Sequence, residues 1–145
     1  ILYSDSAKVR VRITAPNMVR FLDRREPRQE FNDGVRVDFF NANQRITSKL
    51  TAKSAIRYEK QKEIVVRDSV VLESPGNQKL ETSELTWDER DERIHTNKFV
   101  MITTPDEKIW GYGFEANQEF TNWKIKAIEG ELKVENLEGE DPEGE

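Results

Sequence analysis

Apolar residues recur at every second position through most of this chain. Val35 and Val37, Val70 and Leu72, Leu80 and Thr82, and Leu132 and Val134 each stand at i, i+2. That is the period of a strand with one dry face and one wet face. Polar clusters separate these segments: Glu59-Lys60-Gln61-Lys62, Ser74-Pro75-Gly76-Asn77, Glu89-Arg90-Asp91-Glu92 and Thr104-Pro105-Asp106-Glu107. Pro75-Gly76 and Pro105-Asp106 bring a preset φ and short side-chain acceptors, the chemistry of turns. No segment has convincing helical periodicity. Residues 17–30, NMVRFLDRREPRQE, come closest, but Pro27 and the charge run predict a loop or one short turn. IVV (64–66) and FVMI (99–102) are apolar on both faces, which predicts a covering loop or a partner over them.

The pattern also repeats with a step of 30. LTA (50–52), LET (80–82) and WGY (110–112) align, as do Ala55 with Leu85, Ile64 with Ile94, Val70 with Val100, and Leu72 with Ile102. An earlier copy is visible in ITAPNMVRF (13–21) against LTAKSAIRY (50–58), and in DGVRVD (33–38) against DSVVLE (68–73). GELKV (130–134) is a degenerate last copy. A unit of this length is one supersecondary element that cannot bury its dry face alone. Each copy reads as a strand pair, and stacked pairs predict an all-β chain: a long, curved antiparallel sheet folded on itself. On its dry face the alternation places Val70, Leu72, Leu85, Trp87, Val100, Ile102, Trp110, Tyr112 and Phe114, with Leu132 at the end of the series.

Composition sharpens this picture. Of 145 residues, 35% are hydrophobic and 35% charged, and the mean hydropathy is -0.82. Such a supply is thin for a solid core and predicts a groove along the dry face. The net charge of -5 argues against nucleic acid or an anionic membrane surface as the main partner. The absence of cysteine removes disulfides, thiolate metal sites and cysteine nucleophiles. No apolar run approaches the roughly 20 residues of a spanning helix. The chain begins at Ile1 rather than methionine, so it is expected to be a fragment or a chain trimmed of a leader or anchor. ENLEGEDPEGE (135–145) is acidic and apolar-poor, and is expected to be a disordered tail.

The stretch LTWDERDERIHT (85–96) gathers carboxylates, guanidinium groups and the only histidine, His95. The equivalent segment one repeat earlier, YEKQKEIVV (58–66), is also charged but carries different ions and no histidine. The position therefore demands polarity, and DERDER reads as a solvated hairpin tip with His95 on the outer side of a strand. A lone histidine without a second ligand is a poor metal site. GYGFEA (111–116) has the letters of a dinucleotide fingerprint, but no helix pattern follows it. Gly111 and Gly113 read instead as a bulge or a close strand approach. No catalytic, cofactor or metal site is expected. Acid pairs such as Asp88 and Asp91 keep a hydrolase as a remote alternative.

The segments LTAKSAIRYEKQKEIVVRDSVVLES, LETSELTWDERDERIHTNKFVMI and IWGYGFEANQEFTNWKI together resemble the LptC family, most closely its Bacteroidetes-type versions. The resemblance is strong from Ser48 to Val134 and looser over residues 1–47. It implies a twisted, open β-jellyroll over residues 1–134 that shelters lipopolysaccharide acyl chains and passes lipid along a periplasmic bridge. It implies as partners the membrane subunits of an ABC transporter and a soluble bridge jellyroll, joined by strand addition. It also implies an inner-membrane tether, expected to be an N-terminal segment that precedes this stretch. The exposed sheet edges would allow self-association as well. The competing reading from the residues is a carbohydrate-binding or adhesion module with Trp87, Trp110 and Trp123 as exposed sugar platforms.

Overall fold

The computed structural model describes residues 1–5 and 8–133. Val134 and the acidic segment 135–145, expected to end a strand and to form a disordered tail, lie outside the described residues. Those residues form twelve strands and no helix. They are β1 (Leu2–Asp5), β2 (Lys8–Thr14), β3 (Val19–Phe21), β4 (Arg28–Phe31), β5 (Val35–Phe40), β6 (Ile46–Ala52), β7 (Ser54–Tyr58), β8 (Glu63–Ser74), β9 (Gln78–Asp88), β10 (Arg93–Thr103), β11 (Glu107–Asn117) and β12 (Trp123–Lys133). The segment 17–30 is thus two short antiparallel strands around a loop, not a single loop. Arg20 and Gln29 pair within it, and Arg28 stacks on Phe21.

All twelve strands belong to one antiparallel sheet, which forks. Its main path runs β1-β2-β5-β6-β8-β9-β10-β11-β12, and a branch runs from β8 through β7 and β4 to β3. The fork arises because β8 is longer than either neighbour. Its C-terminal half pairs with β6 through Leu50↔Leu72, and its N-terminal half with β7 through Ala55↔Val66. Between the two, the Lys53 amide donates to the Asp68 carbonyl. Asp68 and Ser69 take positive φ there, and the register of β8 against β9 shifts between Arg67 and Val70. Register shifts also interrupt the pairing of β10 with both neighbours, between His95 and Val100. Bulges of this kind bend and twist strands. They fold the long strands so that one half of the sheet faces the other.

The 30-residue repeat is the hairpin of this sheet. Ile64 pairs with Trp87, and Trp87 with Ile94. Val70, Thr82 and Val100 form a second row, and Leu72, Leu80 and Ile102 a third. Residues 30 apart in β8 and β10 therefore stand at one level, two strands apart, on one face. The layers meet around Trp87, which packs edge-on against Phe39 of β5 and Tyr3 of β1, both at 5.3 Å between ring centroids. A single apolar cluster runs from Val11 and Phe39 on one side to Phe114 and Phe120 on the other.

Candidate functional site

The dry face is the feature that the fold builds most deliberately. Val70, Leu72, Leu85, Val100, Ile102 and Phe114 are buried between the layers, and Trp87 is 2% exposed. Seven of the nine side chains expected on this face are therefore brought together. Trp110 and Tyr112 are not. Val100 pairs with Gly111, and Ile102 with Ile109, so Ile109 and Gly111 face inward in β11. Tyr112 lies on the opposite face, 51% exposed and edge-on to Phe99. Trp110 shares that outer face, where its ring lies against Gly130 of β12. The repeat shortens by one residue in this hairpin, and a slip of one turns every side chain over. Gly113, at φ +84°, then adds a residue and returns Phe114 to the interior. Gly111 has its own cause, since a Cβ there would run into the Ala127 carbonyl. Leu132 also faces outward, 44% exposed, paired with Lys108.

The side chains expected to line an open groove are instead buried in a packed interior. The surface recesses hold about 230–350 Å³ each, and most of the residues that line them are polar or charged. Residues of the first third supply the missing volume: Val11, Ile13, Phe31 and Phe39 are all buried. So is Phe120, which the turn after β11 folds inward against Phe114. Within that turn Gln118 is 2% exposed and joins both layers. Its side-chain oxygen accepts from Trp87 Nε1 at 3.0 Å, and its carbonyl accepts from Ser48 Oγ at 2.6 Å. The Asn117 carboxamide oxygen accepts from the amides of Thr121 and Asn122 and fixes the turn. Composition counts these residues but does not place them, because most of the filling comes from early strands and a turn outside the hairpins that repeat with a step of 30.

One end of the interior is polar. Arg57 of β7 makes a two-pronged ion pair with Glu89, at 2.7 and 3.0 Å, and both side chains are largely buried. The Arg57 guanidinium also lies over the Tyr3 ring, and its pKa is raised chiefly by the hydrogen bonds to Glu89. The Tyr3 hydroxyl is buried without a hydrogen-bond partner. Burial first, and the nearby Glu89 charge second, push its pKa above the ordinary phenol value. A recess of about 260 Å³ opens here between Tyr3, Arg10, Trp87, Glu89, Glu92 and Gln118. Glu89 corrects the reading of DERDER as a wholly solvated tip. Asp88 does hold the turn from outside, accepting from the Arg90 and Asp91 amides. Glu89 turns inward because Arg57, on β7 one strand beyond β8, reaches across to it in the same stretch of sheet. His95 stands exposed on the outer face between Thr86 and Glu115.

The last feature is the set of sheet edges left unpaired among the described residues. β1, β3 and β12 end the three arms of the sheet. Each carries exposed apolar side chains: Leu2 on β1, Val19 and Phe21 on β3, and Ile128 and Leu132 on β12. Of the stretches apolar on both faces, 64–66 is covered, with Val65 9% exposed, whereas Phe99 is 41% exposed beside Tyr112. The three tryptophans do not form an exposed platform: Trp87 is interior, and Trp123 packs on the core with its Nε1 donating to Gln78. No helix among the described residues is long and apolar enough to cross a membrane.

The family described as lipopolysaccharide-assembly, LptC-related matches residues 1–128, and the chain belongs to it. No curated protein matches the chain. The family is a transport component of the periplasm, so the protein's role lies in lipopolysaccharide assembly and transport.

Proposed function

We propose that this LptC-related protein carries lipopolysaccharide without chemistry, by taking lipid acyl chains between the two layers of its sheet. One observation carries the reading: Val70, Leu72, Leu85, Trp87, Val100, Ile102 and Phe114 make one continuous apolar face between layers. Each buried methylene of an acyl chain contributes about 0.8 kcal/mol. Several chains therefore bind without any polar contact, and a face of similar affinity along its length lets them move. These side chains are packed against one another between the layers, so in this reading lipid enters as the layers part. The protein's own side chains are then exchanged for lipid, apolar for apolar, at small net cost.

The same proposal assigns the edges. β1 and β3 face the membrane subunits of an ABC transporter, β12 faces a soluble bridge jellyroll, and each joins by adding a strand. Unpaired edges with exposed apolar residues support this, since such edges aggregate unless they are used. The protein would then stand in the periplasm, tethered at the inner membrane.

A photo-crosslinker tests the interior directly. At Phe114 or Leu72 it should capture purified lipopolysaccharide. At Tyr112, two residues from Phe114 but on the outer face, and at Lys62, it should not. Equal capture at all four positions overturns the reading.

A further inference from the structure

We infer that β1 is a displaceable seal over the Trp87 end of the interior, and that lifting it admits the acyl chains. The inference rests on the interior as the lipid site. β1 is a four-residue edge strand that pairs with β2 alone, and its register breaks between Tyr3 and Ser4. It inserts one ring, Tyr3, which stands edge-on to Trp87 and beneath the Arg57 guanidinium. Trp87 also borders a surface recess, and Tyr3 and Ser4 form part of the wall of that recess. Removing β1 would uncover Trp87 and Val11 while β2 stayed paired to β5 through Val11↔Phe39 and Ile13↔Val37.

The seal is built to be weak. A buried hydroxyl with no partner costs stability, and Tyr3 carries one. Its polar neighbours Arg57 and Glu89 are aimed at each other, and neither meets the Tyr3 hydroxyl in hydrogen-bond geometry. A phenylalanine would close the same space without that cost. Nor is the outer side of β1 held by packing, because Leu2 is 63% exposed. Together these separate β1 from the long strands, whose side chains interlock across both layers.

A disulfide lock decides the matter. Ile1 and Ile13 exchange both of their backbone hydrogen bonds, so Leu2 and Arg12 form the next, close, non-hydrogen-bonded pair. The chain has no cysteine, so the double variant Leu2→Cys, Arg12→Cys holds a single bridge. Asp38 loses Arg12 but keeps Arg36. Capture of purified lipopolysaccharide by a photo-crosslinker at Phe114 is followed over time. The oxidised form should capture at least tenfold more slowly than the reduced form. Tyr3→Phe, which seals better, should slow capture several-fold in the absence of any bridge. Equal rates in the oxidised and reduced forms, with capture intact, overturn the seal and leave the interior site standing. No capture in the reduced form overturns the interior site, and the seal with it.

Discussion

At the residue scale, the Arg57–Glu89 pair is the most exacting contact in the molecule. Its partners come from a strand and a turn 32 positions apart. Each needs the other, because a guanidinium or carboxylate in an apolar layer is costly alone. Glu89→Ala leaves Arg57, 14% exposed, without a counter-charge and should cost about 3–5 kcal/mol in urea unfolding. Replacing both, with Arg57→Met and Glu89→Leu, should restore most of that loss, since similar volumes then pack without desolvated charge. A loss below about 1 kcal/mol in the single variant would show that the pair is solvated in solution. Nothing in DERDER marks Glu89 as different from Asp88 or Glu92. What distinguishes it is the arrival of Arg57, and that depends on the fork at Lys53, a tertiary event that periodicity does not encode.

At the element scale, the sequence is most informative where hairpins repeat. Val70, Leu72, Val100 and Ile102 could be placed correctly because a step of 30 preserves both level and face. The reading fails at Trp110 and Tyr112, where one residue is lost from the step and aromatic character conceals the change. The signal that remains is Gly-Tyr-Gly: paired glycines inside an alternating strand mark a bulge, across which alternation should not be extended. β12 leaves one row of backbone N–H groups facing away from β11, and this row gives the edge a test. Successive residues point their amides to opposite sides, so a proline at Glu131 and a proline at Leu132 remove different ones. One substitution should abolish docking of a neighbouring jellyroll with melting little changed. The other should lower the melting temperature by weakening β11–β12 pairing. If both variants still dock, β12 is not the joining edge.

At the scale of the whole molecule, the fold class was legible from alternation and repeat, and the role in lipopolysaccharide assembly from the family resemblance, whereas the state of the interior was not. Counting apolar residues predicted an unfilled trough. The trough is filled by Phe39, Phe31, Val11 and Phe120, from short strands and a turn outside the repeat. A filled interior changes what transport demands, because lipid must displace packed side chains rather than enter a void. Packed sheets lie about 10 Å apart. One layer of alkyl chains adds roughly a carbon–carbon contact distance, about 4 Å. Spin labels at Thr51 on β6 and His95 on β10 report this separation, since both are exposed and lie on opposite layers. Their mean distance, measured by double electron–electron resonance, should increase by about 4 Å when lipopolysaccharide is bound. It should stay short when lipid is absent. A distance that does not change in protein proven to carry lipid would place the acyl chains outside the layers, on a surface such as that around Phe99 and Tyr112.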